Sequence, residues 1–138
     1  MTKQFIYHFI RQHTLAVIAT SYPANTPEAA LIGIAATPQL EIVFDTVKSS
    51  RKYQNMVQNP RVALVIGWDN ETTLQLEGVA VELSGKDDAI YREAYFAVFP
   101  AGRQRAESWP GLVHFKITPH WLRYSNFNEP QMIKEMRF

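Results

Sequence analysis

A single stretch, Leu40 to Gly67, limits most strongly what this chain can fold into. Glu41 to Asp45 is a run of β-branched and aromatic residues suited to a strand. Thr46 to Ser50 breaks the apolar pattern and supplies hydroxyls at which a helix can begin. From Arg51 the spacing turns helical, with Tyr53, Met56 and Val57 at three- and four-residue intervals. Asn59-Pro60 ends that helix, because the residue before a proline is pushed out of the helical region. Arg61 to Trp68 returns to a strand pattern.

The chemistry of this stretch sits at the strand-to-helix corner. Ser49 or Ser50 can cap the helix by accepting a bond from a backbone N–H one turn in. The remaining free N–H groups and the positive end of the helix dipole then face whatever lies beyond the terminus. Arg51 and Lys52 add two cations at that same end, where the dipole disfavours them. An anion placed there, a phosphate monoester above all, would explain the pair. Projection of both side chains into water is the alternative reading of the same residues.

Around this centre the chain reads as one domain. Thr2 to His13 is an amphipathic helix with Phe5, Ile6, Phe9 and Ile10 on one face. Thr14 to Ser21 and Glu28 to Thr37 are strands joined by a turn over Tyr22 to Pro27, and with Glu41 to Asp45 they form an antiparallel meander. Thr72 to Leu83 is a fifth strand whose apolar residues change phase at Gly78, as a β-bulge would produce. A helix from Ser84 through Phe99, burying Ile90, Ala94 and Val98 or Phe99, is followed by a loop over Pro100 to Gly111. Leu112 to Thr118 is a strand interrupted at Pro119, with an edge strand over Trp121 to Phe127 and a loose or briefly helical tail. Six strands with short links make the chain mainly β, a small antiparallel barrel with flanking helices. The first strand (Leu15 to Ala19) and the fourth (Val62 to Ile66) are apolar on both faces, which asks for cover from helices or a second subunit.

Several function classes are disfavoured. The net charge of +1 gives no footing for nucleic acid or an anionic membrane. With no cysteine there is no disulfide, thiolate metal site or thiol nucleophile. His8, His13, His114 and His120 form no ligand pair backed by carboxylates, so no metal is expected. No glycine-rich phosphate loop or nucleophile elbow occurs. The N-terminal segment carries charges inside its apolar pattern, and no run approaches membrane-spanning length, which together point to the cytoplasm.

Asp45-Thr46, then Ser50-Arg51-Lys52, then Asn59-Pro60-Arg61-Val62 before an apolar strand resembles the signature of the pyridoxamine 5′-phosphate oxidase-like flavin proteins. The likeness extends more weakly from about Leu15 to Gly78. It implies a Greek-key FMN-binding split barrel over residues 1–138, usually a homodimer with FMN at the interface. It also implies that Arg51 and Lys52 hold the FMN phosphate, with Asp45 and Thr46 at the corner and Ser50 and Thr46 as hydroxyl or backbone partners. Leu31, Ile32 and Gly33 match the strand whose backbone lies along the isoalloxazine ring. Thr73 stands where the oxidases place an amide that reaches the flavin, and Gln75 lies two residues away on the same face. Trp121 and Tyr124 match a late aromatic strand that can approach the flavin.

The implied function is a flavin-dependent oxidoreductase or reductase acting on a small-molecule substrate or electron donor. No side chain stands out as its catalytic acid or base. A non-catalytic FMN carrier or sensor, or a barrel holding haem or a deazaflavin, are the alternatives. An authentic pyridoxamine 5′-phosphate oxidase is not expected. Ala30 and Ala35 occupy the places where those enzymes carry an arginine and a lysine for phosphate, and the tail EPQMIKEMRF lacks their basic, histidine-containing motif.

Overall fold

The computed structural model describes residues 1–22 and 25–138. Helix α1 (Lys3–Arg11) starts where Thr2 Oγ1 accepts from Phe5 N at 3.1 Å, and it buries Ile6, Phe9 and Ile10. Strands β1 (Leu15–Tyr22) and β2 (Thr26–Gly33) form an antiparallel pair. Of the turn expected over Tyr22 to Pro27, Tyr22 belongs to β1 and Thr26 and Pro27 to β2, while residues 23 and 24 lie outside the described residues. Then follow β3 (Ala35–Ala36), β4 (Ile42–Val47), α2 (Arg51–Gln58), β5 (Arg61–Ile66) and β6 (Thr72–Glu82). Helices α3 (Ala89–Val98) and α4 (Ala101–Ser108) precede the long β7 (Leu112–Asn126) and β8 (Met132–Arg137).

The strands form one antiparallel sheet in the order β2-β1-β5-β6-β7-β4-β3, with β8 added to β7. The two ends of this order are consecutive in the chain. Only Ile34 separates β2 from β3; it is buried, and its N–H donates to the Thr14 carbonyl at 2.8 Å. The single strand expected over Glu28 to Thr37 is therefore bent there, its first part pairing with β1 and its last two residues with β4. The sheet curls until both ends share one segment, which makes the barrel.

Inside lie Ile18, Ile42, Phe44, Leu64, Ile66, Leu74, Leu76, Phe115, Ile117 and Leu122, with the Phe44 and Phe115 rings stacked at 5.6 Å. A second, smaller core forms outside β3 and β4, where Tyr95 and Phe96 cover Ala35, Val43 and Leu83. This cover is why Val43, on the outer face of β4, is as fully buried as Ile42 and Phe44.

Five expectations need correction. Pro100 to Gly111 holds α4 rather than only a loop. Helix α3 buries Tyr95 and Phe96, leaving Ile90 exposed, because the helix docks through its aromatic face. Pro119 does not interrupt β7: the register of β6 against β7 slips between Glu77 and Gly78, and a proline is tolerated where a bulge breaks the ladder. The extra residue lies on β7, since Gly78 pairs with Pro119 while Glu77 pairs with Trp121. Strand β6 keeps its own alternation, so Val79 and Val81 stay exposed rather than turning inward. Finally, the tail forms β8, which pairs with Trp121 to Asn126 and removes that strand from the sheet edge.

The registers align the outer face in rows. Leu31, Val17, Val65, Gln75 and Arg123 stand side by side across five strands. The next row is Ala29, Ala19, Ala63, Glu77 and Trp121. In these two rows β2, β1 and β5 contribute only uncharged aliphatic side chains. No helix among the described residues is long and apolar enough to cross a membrane.

Candidate functional site

Strand β2 pairs with β1, and α2 packs over the end of that pair, where Thr20 of β1 and Glu28 of β2 are register partners. Ser50 caps α2: its Oγ accepts from Tyr53 N at 3.2 Å and lies 2.9 Å from Thr46 Oγ1. Thr46 is buried beneath the helix end, and Ser50 N–H donates to the Val47 carbonyl at 3.0 Å. These contacts fix where the first turn of α2 points. Arg51 is 80% exposed and pairs with the Glu28 carboxylate of β2. Lys52 beside it has no ion-pair partner among the described residues. A hollow of about 250 Å³ between β2 and α2 is lined by Thr20, Glu28, Ala29, Ala30, Arg51 and Lys52.

Two residues in this arrangement escaped sequence reasoning. Glu28 is held by Arg51 and by Asn55, whose Nδ2 donates to its Oε1 at 2.8 Å. Asn55, 1% exposed, also donates to Thr20 Oγ1 at 2.9 Å. The bonds from Arg51 and then Asn55 hold the Glu28 carboxyl below the usual carboxylate range. Asn55 follows Arg51 by one helical turn, so both fall on the face of α2 turned to β2. That spacing was a readable signal; the partner in β2 was not.

The other expected site residues divide between two faces of the sheet. Asp45 and Thr46 alternate across β4, so only Thr46 faces the corner. Asp45 points to the outer core, where Arg105 Nη2 of α4 donates to its Oδ2 at 3.3 Å. On β2, Leu31 is 61% exposed on the outer face and Ile32 is buried inward. Gly33 packs under Phe99: a Cβ there would meet Phe99 Cζ at 2.7 Å. Gln75 lies three places from Leu31 in its row, while the Thr73 hydroxyl is buried without a partner. Trp121 joins Gln75 and Glu77 around a shallow apolar hollow of about 240 Å³. Tyr124 points inward against Phe5 and Phe9, with ring centroids 5.1 and 5.3 Å away. The structure thus brings Trp121, and not Tyr124, to the outer face.

Beside Asp45 lies a buried histidine. His114 is 5% exposed, its Nε2 has no partner, and its ring meets Tyr95 and Phe96 edge-on at 5.5 and 5.4 Å. Burial lowers its pKa, opposed by Asp45 and reinforced by Arg92 and Arg105. The folded protein therefore binds this proton less readily than the unfolded chain does. Its contribution to stability is full above the unfolded value of about 6.5 and is lost as pH falls through the depressed folded value. Replacing His114 with glutamine should flatten the decline in stability between pH 7 and pH 5, as urea titrations at each pH would measure. An unchanged slope would mean that His114 is not the titrating group.

The family model described as "Pyridoxamine 5'-phosphate oxidase" matches residues 2–126, nearly the whole chain. The chain belongs to the pyridoxamine 5′-phosphate oxidase family. A pyridoxine/pyridoxamine 5′-phosphate oxidase from Paraburkholderia phymatum is 31% identical over 108 residues, covering 78% of this chain and 49% of the relative. The chain thus spans about half the length of that curated relative. Among solved structures, a heme binding protein from Mycobacterium smegmatis is similar with a TM-score of 0.82 at 15% identity, covering 99% of this chain and 58% of the other. A putative pyridoxamine 5′-phosphate oxidase from Listeria innocua has a TM-score of 0.74 at 21% identity, covering 88% of this chain and 96% of the other. At these identities the structural matches establish the shared fold, a curled antiparallel sheet with flanking helices. In this chain the residues Ser50, Arg51 and Lys52 lie on a corner where Arg51 already engages the Glu28 carboxylate.

Proposed function

We propose that this chain binds FMN, with the phosphate at Arg51 and Lys52 and the ring system along the outer side of β2. The observation that carries this reading is the ion pair of Arg51 with Glu28 at the capped start of α2. A cation at a positive helix end has already recruited an anion there, which is the behaviour a phosphate site needs. Lys52 lines the same hollow and supplies the second charge. Thr46 and Ser50 hold the helix terminus in place, and the exposed Leu31 and Gln75 offer the apolar and amide contacts a flat ring would meet.

FMN, when bound, supplies one- and two-electron redox chemistry. The residues of this chain bind and orient it, and a second copy on the outer face keeps water from the ring. The working protein is then a homodimeric cytoplasmic oxidoreductase taking electrons from, or giving them to, a small molecule. Among the described residues, no cluster of three or more His, Asp or Glu side chains is placed to hold a metal ion.

The substrate on this reading is not a vitamin-B6 phosphate. Ala30 lines the corner hollow and Ala35 is buried under α3, so neither position presents a cation. A desolvated phosphate without a partner is costly. The FMN-loaded protein incubated with pyridoxamine 5′-phosphate and oxygen should form no pyridoxal 5′-phosphate above the rate of free FMN. Efficient formation would show that the substrate site is intact. Anaerobic mixing with reduced nicotinamides tests the redox role: bleaching of bound flavin supports a reductase, whereas stoichiometric flavin that no donor bleaches supports a carrier or sensor.

A further inference from the structure

Glu28 holds Arg51 at the start of α2. Its Oε2 accepts from Arg51 Nη2 and its Oε1 from Asn55 Nδ2, and the buried Asn55 is itself tied to Thr20. The carboxylate is thus held from the inside by a fixed donor, while the exposed guanidinium reaches it from the solvent side. Glu28 and Arg51 line two neighbouring hollows at once. One, of about 290 Å³, is flanked by Ser49, Ser50 and Gln54; the other, of about 250 Å³, contains Lys52, Ala29 and Ala30. The ion pair is the shared wall between them. Opening it would join the capped helix end to the Lys52 side, where Ala29 leads onto the outer sheet face.

We propose that Glu28 is a built-in counter-anion of the Arg51–Lys52 site, holding Arg51 until a phosphate displaces it and so setting the site's preference between phosphorylated and unphosphorylated ligands. This inference rests on the reading of the corner as the phosphate end of a flavin site. A phosphate entering beside Glu28 meets like charge and must take Arg51 from a partner already in place. The ring system of a flavin has no such competitor. Glu28 therefore lowers affinity for FMN and leaves riboflavin almost untouched.

The test compares the dissociation constants of FMN and riboflavin, read by quenching of flavin fluorescence, for the parent and for Glu28→Gln. The glutamine carbonyl still accepts from Asn55 Nδ2, so the inner tether survives. Glu28→Ala, which removes the acceptor altogether, is the second variant should glutamine disturb the fold. Glu28→Gln should bind FMN at least tenfold more tightly while riboflavin affinity changes less than twofold. Equal or weaker FMN binding by both variants would overturn the proposal, making Glu28 a residue that positions Arg51 for the ligand. A parallel gain for riboflavin would also overturn it, because the effect would not then lie at the phosphate. If none of the proteins binds either flavin, the flavin site itself falls, and the counter-anion with it.

Discussion

Replacing Arg51 and Lys52 together with alanine should weaken FMN binding at least about a hundredfold while the fold persists, since both charge-assisted contacts to the phosphate disappear. The loss should exceed the sum of two missing cations. With Arg51 gone, the Glu28 carboxylate stays fixed by Asn55 and faces the phosphate directly. The fold should survive because Arg51 is exposed and the cap of α2 is made by Ser50 and Thr46. Circular dichroism and thermal unfolding check the second half of this statement, and equilibrium dialysis with FMN checks the first. A double variant that retains flavin at parental affinity would place the phosphate elsewhere. Riboflavin binding should change little, which separates loss of the phosphate site from general damage.

Val65→Glu should turn a dimer into a monomer. Val65 stands at the centre of the outer row, between Val17 of β1 and Gln75 of β6, and is 39% exposed in the single chain. In a monomer the substitution would be almost silent, because a surface change away from special features stays within about 0.5 kcal/mol. Buried between two copies, an unpaired carboxylate costs roughly 3 kcal/mol or more, which raises the dimer dissociation constant over a hundredfold. Sedimentation should show the parent as a dimer at micromolar concentration and the variant at the 15.8 kDa of one chain. A parent that sediments as a monomer would leave the apolar outer face without its proposed partner.

Much of this was legible from local patterns. The corner from Glu41 to Gly67 formed with its helix starting at Arg51, because Ser50, Pro60 and the change of period each act over a few residues. What failed depended on distant partners. The change of apolar phase at Gly78 pointed to a bulge in β6, yet β6 keeps its alternation and the extra residue sits on β7, where Pro119 cannot complete the ladder. Helix α3 was expected to bury Ile90, but the outer face of β4 receives the rings of Tyr95 and Phe96 instead. Strand β8 has little apolar patterning of its own and forms because β7 offers it a free edge.

The site divides along the same line. Arg51, Lys52 and Ser50 follow one another in sequence, and the corner brings them together as local rules require. Asp45 belongs to the same motif but not to the same face: strand alternation sends it to Arg105 and the outer core. Glu28 lies 23 residues before Arg51, and nothing in its neighbourhood marks it as a partner. Only the closing of β2 against α2 does so.

The most direct test of the flavin site is a competition. The purified chain, stripped of small molecules, is saturated in parallel with FMN and with haem, passed through gel filtration, and its absorbance spectrum recorded. The expected result is one FMN retained per chain, lost when Arg51 and Lys52 are both alanine, with haem not retained in stoichiometric amounts. Retention of haem at one per chain or per dimer, with FMN washed away, would contradict it.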